Sequence, residues 1–66
     1  MTVQDRLNNL ISERGTTMKQ VAVRAGIPYS TVKNICYGDS KNPGVYTIQR
    51  ICRVFDMSLS EFFEGI

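Results

Sequence analysis

The sequence predicts an all-α fold, a compact bundle of five short helices. Apolar side chains recur every three or four residues along most of the chain, which is the period of a helix with one buried face. Residues 17–20 and 58–61 have the Ser/Thr-x-x-Glu/Gln form of a capping box, the local signal for a helix start. No segment alternates as a β-strand does, and no internal repeat is present. The 66 residues are expected to form one domain, residues 1–66.

The first helix is predicted over residues 2–14. Thr2 is a favourable N-cap, Asp5 places negative charge in the first turn, and Gly15 ends the helix. Its predicted core face consists of Val3, Leu7, Leu10 and Ile11.

The second and third helices are predicted on either side of a Gly-Ile-Pro break. Thr17 caps the second helix, Gly26 ends it in the left-handed conformation, and Pro28 suits the start of the third because it has no N–H to lose. The predicted buried faces are Val21, Ala22 and Ala25 on one helix and Val32, Ile35 and Cys36 on the other. The outward face of the third helix carries Tyr29, Ser30, Lys33, Asn34 and Tyr37. An apolar back and a face able to contact bases are typical of the second helix of a helix-turn-helix motif.

Two further helices complete the predicted fold. After a loop at residues 38–44 that is rich in turn-forming residues, a fourth helix is predicted over residues 45–55. Its predicted core residues are Ile48, Ile51, Cys52 and Phe55. A terminal helix begins at Ser58 and carries Leu59, Phe62 and Phe63.

The composition argues against several classes of protein. The chain has no histidine and its six carboxylates are scattered, so no metal site, cofactor or enzymatic activity is expected. Cys36 and Cys52 occupy apolar helical positions and are interpreted as reduced, buried side chains, which points to the cytoplasm. No apolar run approaches the roughly 20 residues that span a membrane, and the N-terminus is too polar for a signal peptide.

Positive charge is concentrated in the middle of the chain. Residues 14–53 carry seven basic side chains against Asp39 alone, a net charge of +6, whereas the whole chain has +2. This basic part coincides with the predicted helix-turn-helix, which favours a surface that faces phosphates. When the charge distribution is considered alone, the alternative is that these basic residues form an ordinary solvated surface.

Residues 17–38 resemble the helix-turn-helix of the lambda-repressor-like regulators, which include phage Cro and cI and the XRE-type bacterial repressors. The family pattern is Thr-Gln-x-x-Leu-Ala-x-x-x-Gly-(Val/Ile)-Ser-x-Ser-Thr-Ile-x-x-x-Glu-x-Gly, and this chain has TMKQVAVRAGIPYSTVKNICYG. Pro43 and residues 48–63 are similar to the fourth and fifth helices of that family. The resemblance implies a transcriptional regulator that binds double-stranded DNA sequence-specifically. No small-molecule ligand is evident from the sequence.

The resemblance places the start of the third helix at the base edges, so Tyr29 and Ser30 are expected to contact bases, Tyr29 against a thymine methyl. Lys33 can donate to guanine O6 and N7, and Asn34 can pair with adenine N6 and N7. The alternative for Lys33 and Asn34 is that they only solvate an exposed helix face.

Phosphate contacts are expected from the start of the second helix and from the loop before the fourth. The N–H groups and the positive dipole end at Thr17 favour a phosphate. The family usually has a glutamine next that grips the DNA backbone, and Met18 lacks that group. The remaining candidates are Lys19, Tyr37, Lys41, Asn42 and Tyr46.

Two partnered positions depart from the family. Many members have a buried arginine–glutamate ion pair where this chain has Ile11 and Cys36. Replacing both charges with apolar groups is often neutral or stabilising, whereas replacing one strands a charge. The joint change is therefore consistent with the fold.

The sequence predicts a small dimeric Cro-like repressor that reads the major groove of a pseudo-palindromic operator with its third helix. Leu59 and Phe62 are expected in the core, which leaves Phe63 and Ile66 as the dimer interface. Alternatively, Phe63 completes the core and Ile66 is a frayed end. The alternative function is a protein-interaction module of the same fold, antitoxin-like or regulator-binding, with little DNA readout.

Overall fold

The computed structural model describes residues 2–38, 43–64 and 66. Within these residues the chain forms five helices and no strand, which confirms the predicted all-α architecture. The helices are α1 (Val3–Glu13), α2 (Met18–Ala25), α3 (Tyr29–Cys36), α4 (Val45–Val54) and α5 (Leu59–Glu64). Helix α2 packs against α3 and α4, α1 packs against α3, and α5 packs against α4. Lys41 and Asn42 lie outside the described residues.

Helices α1 and α5 begin with complete capping boxes. The Ser58 hydroxyl accepts from the Glu61 N–H at 3.1 Å, and the Glu61 carboxylate accepts from the Ser58 N–H at 3.1 Å. Thr2 and Asp5 make the same reciprocal pair at 3.2 and 3.1 Å. Each box satisfies two N–H groups at a helix start without help from the rest of the fold, which is why the sequence predicts these boundaries well.

Helix α2 begins with only half of its predicted capping box. The Thr17 hydroxyl accepts from the Gln20 N–H at 3.1 Å, as expected. The Gln20 side-chain oxygen, however, accepts from the Thr16 hydroxyl at 2.8 Å. The capping box predicted for residues 17–20 also requires the Thr17 N–H to donate to the Gln20 side chain. That half of the prediction was wrong, since the Gln20 oxygen accepts from Thr16 instead.

The core lies where the apolar faces of all five helices meet. Twelve side chains form one buried cluster: Leu7, Leu10, Val21, Ala22, Val32, Ile35, Cys36, Ile48, Ile51, Cys52, Phe55 and Phe62. Val3, Ile11 and Leu59, also predicted in the core, are only partly buried against it. Each fully buried large apolar side chain contributes about 1.5–3 kcal/mol, so this cluster is the main source of stability.

Three arginines tie the ends of helices to other parts of the chain. Each donates to a backbone carbonyl at a helix end: Arg6 to Phe62 (2.9 Å), Arg14 to Phe55 (3.2 Å) and Arg50 to Ala25 (3.3 Å). The last carbonyls of a helix lack partners within the helix and carry partial negative charge, which a guanidinium satisfies. Arg14 and Arg50, part of the basic middle of the chain, therefore also stabilise the fold.

Both cysteines are free and buried, as predicted from their apolar positions. Burial raises the pKa of the Cys36 thiol, and it raises that of Cys52 as well, partly offset by the charge of Arg6. A raised pKa keeps a thiol protonated and poorly nucleophilic at neutral pH. The two side chains behave as small apolar core residues.

Candidate DNA-binding surface

The turn between α2 and α3 is set by Gly26 and Pro28. Gly26 has φ +70° and ψ +33°, the left-handed conformation that glycine adopts most readily. The Ile27 N–H donates back to the Ala22 carbonyl at 3.1 Å, which closes the end of α2. Pro28 has extended backbone and precedes the first residue of α3. These local constraints set the residue at which α2 ends and the residue at which α3 begins.

Helix α3 has one buried face and one exposed face, as the sequence predicts. Val32, Ile35 and Cys36 are at most 2% exposed and belong to the core. Tyr29, Ser30, Lys33 and Asn34, the predicted base-contacting residues, are all exposed. The core contacts thus fix which side of α3 faces solvent, and the four side chains lie on that side.

A cation–π contact organises the outward face near the end of α3. The Lys33 ammonium lies 5.9 Å from the centroid of the Tyr37 ring. The two residues are one helical turn apart, the spacing at which side chains on a helix surface meet. Tyr37 is 58% exposed and Lys33 is exposed as well, so the contact lies at the protein surface.

The described phosphate candidates are all exposed: Thr17, Lys19, Tyr37 and Tyr46. The Thr17 hydroxyl is occupied by its N-cap bond, so its own side chain is already committed to the helix. Lys41 and Asn42, the other two candidates, lie outside the described residues. Met18 is half-buried and packs against the core.

Arg50 was predicted only as part of the basic segment, yet it contacts a candidate residue directly. It donates to the Tyr46 hydroxyl at 3.2 Å and to the Ala25 carbonyl at the end of α2. The sequence does contain a signal for the Arg50–Tyr46 contact, because the two residues are four positions apart on one helix. That spacing predicts a pair on α4 but not the contact with α2, which requires the tertiary fold.

The outward side of α2 forms an open groove of about 440 Å³. Its lining residues are Thr17, Lys19, Gln20, Val23 and Arg24. Val23 is 74% exposed and is surrounded by polar and basic side chains.

The C-terminal helix separates its two phenylalanines. Phe62 is fully buried, whereas Phe63 is 46% exposed and meets the Phe62 ring edge-on at 5.3 Å. Phe63 therefore does not complete the core, contrary to the alternative prediction. Ile66 lies beyond the end of α5 and is 45% exposed, and its N–H donates to the Phe63 carbonyl at 3.1 Å. The prediction that both side chains are left over after the core is filled is consistent with these exposures.

Among the described residues, no helix has the length and apolar character that crossing a bilayer requires.

Within the described residues, five helices that include a helix-turn-helix with an exposed polar face on its second helix are the arrangement of a DNA-binding domain. The chain belongs to the Cro/C1-type HTH DNA-binding domain family, whose profile matches residues 6–66. It is similar to the HTH-type transcriptional regulator PuuR of Escherichia coli (strain K12), with 31% identity over 58 residues. The regulator of the same name from Shigella flexneri matches equally well. The match covers 88% of this chain and 31% of each regulator, so the chain spans about a third of the length of these relatives.

Proposed function

We propose that this protein is a small dimeric Cro-like repressor that reads the major groove of double-stranded DNA with α3. The observation that carries the proposal is the division of α3 into a buried apolar face and an exposed face of residues able to contact bases. An α-helix fits the major groove, where each base pair presents a distinct pattern of donors and acceptors. Membership of the Cro/C1-type family supports the same function.

The proposed base contacts follow from the chemistry of the exposed side chains. Lys33 donates to the acceptors of guanine, and Asn34 makes a paired contact with adenine. Tyr29 and Ser30, in the first turn of α3, reach neighbouring base edges, with the Tyr29 ring against a thymine methyl. We expect the Lys33–Tyr37 contact to restrict the lysine side chain and so to reduce the entropy lost on binding.

The proposed phosphate contacts flank α3. The start of α2 at Thr17 offers N–H groups and the positive end of a helix dipole. The other proposed contacts are Lys19, Tyr37, Lys41, Asn42 and Tyr46. Such contacts fix the orientation of the domain on the duplex without specifying sequence.

The proposed dimer uses the exposed side chains at the C-terminal end. Phe63 and Ile66 are large apolar residues that face solvent next to a filled core. Placed around a two-fold axis, they form part of a self-complementary patch that positions two copies of α3 on a pseudo-palindromic operator.

Selection of duplexes from a random pool, followed by titration at several salt concentrations, tests the proposed function. We expect a recovered consensus, at least about 1,000-fold preference over a scrambled duplex, and affinity that falls steeply with salt. Absence of a consensus and of any salt-dependent binding would overturn the proposal and favour the alternative, a protein-interaction module of the same fold.

A further inference from the structure

The first turn of α4 carries a tyrosine whose hydroxyl is held by an arginine. Arg50 donates to the Tyr46 hydroxyl at 3.2 Å, and its guanidinium carbon lies 4.9 Å from the centroid of the Tyr46 ring. Tyr46 is 67% exposed. The pair therefore holds a phenol at the protein surface in one orientation.

Arg50 is itself anchored to the turn of the helix-turn-helix. Its second amino group donates to the Ala25 carbonyl at 3.3 Å. The same nitrogen lies 3.3 Å from the position that a Cβ at Gly26 would occupy. The orientation of Tyr46 thus depends on a residue that lies against the turn between α2 and α3.

The hydrogen-bonding capacities of the two groups determine which proton remains for a ligand. A tyrosine hydroxyl has one proton to donate, while a guanidinium donates only and accepts nothing. Since Arg50 donates to the hydroxyl oxygen, the proton of Tyr46 is not used by this pair. The hydrogen bond from Arg50 and its positive charge lower the pKa of the Tyr46 phenol, the effect expected of a polarised O–H bond. Phosphate oxygens are acceptors that match such a donor.

We propose that Arg50 is a positioning residue, which orients the Tyr46 hydroxyl to donate to a phosphate oxygen of bound DNA and couples that contact to the α2–α3 turn. This inference rests on the proposed DNA-binding function. It assigns to Arg50, a residue already bonded to the fold, a role in DNA affinity that acts through Tyr46.

A double-mutant cycle on DNA affinity tests the coupling. Tyr46→Phe keeps the ring and removes the hydroxyl, so affinity should fall about tenfold for operator and scrambled duplex alike. Arg50→Gln should cause a similar loss, and the double variant should be little weaker than Arg50→Gln alone. Arg53→Gln is the matched control, because it removes the same charge from an exposed position of α4. The fold-loss of DNA affinity caused by Arg53→Gln should multiply with the fold-loss caused by Tyr46→Phe, because the two residues act independently.

A second measurement follows the pair without DNA. Titration of the Tyr46 phenol by ¹³C NMR should give a higher pKa in Arg50→Gln than in the wild type, and a smaller change in Arg53→Gln. If Arg50→Gln does not fold, Arg50→Lys replaces it in the affinity cycle, because lysine retains the charge but cannot bridge the hydroxyl and the Ala25 carbonyl together.

Two results would overturn the inference: unchanged affinity in Tyr46→Phe, or losses in Tyr46→Phe and the Arg50 variant that simply multiply. A wild-type chain that binds no duplex would overturn the proposed function as well, so the two failures are distinguishable.

Discussion

The side-chain amide of Asn8 donates to the backbone carbonyl of Cys36 at 2.9 Å, joining α1 to the last residue of α3. The same amide donates to the Gln4 carbonyl at 3.0 Å, so it is held on α1 while it caps α3. The carbonyls at the end of a helix have no partner within it. One exposed asparagine therefore fixes the C-terminal end of the helix that carries the proposed base contacts.

Replacing this asparagine should loosen α3 at its end. We expect Asn8→Ala to lower the free energy of unfolding by about 1–2 kcal/mol, because the part-buried Cys36 carbonyl loses its partner. For a domain of this size, each kcal/mol lowers Tm by roughly 4–8 °C, which a thermal melt followed by circular dichroism resolves. Ser12→Ala is the control, since Ser12 is exposed on the same helix. Equal Tm values for the two variants would contradict the prediction.

Ile11 and Cys36, the two positions expected from the resemblance to hold an ion pair in many members of the family, make a second prediction. Ile11 is half-buried against the core, and Cys36 is 2% exposed. Ile11→Arg alone should cost about 3 kcal/mol, because it places a charge without a partner beside apolar side chains. Adding Cys36→Glu should recover much of that loss. Chemical denaturation of the two single variants and the double variant gives the coupling energy, and simple additivity would show that the two positions do not interact.

The outward face of α3 makes a third prediction, on sequence discrimination. Lys33→Ala and Asn34→Ala should each leave the melting temperature nearly unchanged, because both side chains are exposed. Each should reduce the preference for a selected operator over a scrambled duplex by about 1–3 kcal/mol, the contribution of one good base contact. Fluorescence titrations with both duplexes provide the measurement.

Lys41→Ala is the contrasting variant for this experiment. A residue that contacts only phosphate should weaken binding to both duplexes equally and lower the slope of log affinity against log salt by about one. Unchanged discrimination in both α3 variants would remove the basis for assigning base readout to this helix.

The exposed C-terminal residues make a fourth prediction, on assembly. Phe63→Lys combined with Ile66→Lys should give a folded monomer that binds a single half-site weakly, since two charges disrupt an apolar two-fold interface. Sedimentation at several concentrations, with and without operator DNA, measures the oligomeric state. The double variant should still fold, because Phe62 is the fully buried aromatic residue of α5 and Phe63 is 46% exposed.

Glu13→Lys is the matched control for charge. It changes the net charge by the same two units at an exposed position of α1, and it should leave the dimer intact. Dimerisation by the double variant would exclude this interface, and a wild-type protein that stays monomeric on its operator would exclude the dimer.

The sequence alone predicts the helices and most of the residues that they bury, because the signals for them are local. Thr2, Thr17 and Ser58 cap helix starts with side chains that bond three residues ahead. Gly26 ends α2 because its left-handed conformation strongly favours glycine. The helical period of the apolar residues then predicts which side of α3 faces solvent, and so which residues are candidates for contacting bases.

Contacts between residues distant in sequence were decided only by the tertiary structure. Arg6, Arg14 and Arg50 reach carbonyls at helix ends 25 to 56 residues away, and no local pattern distinguishes them from basic residues that face solvent. The exposure of Phe63 was likewise undecided until Phe62 was seen to fill the core beside it. Local propensity determines where helices begin and end. The partners of a long, flexible side chain depend instead on how the helices pack, and the spacing of residues along the chain does not encode that packing.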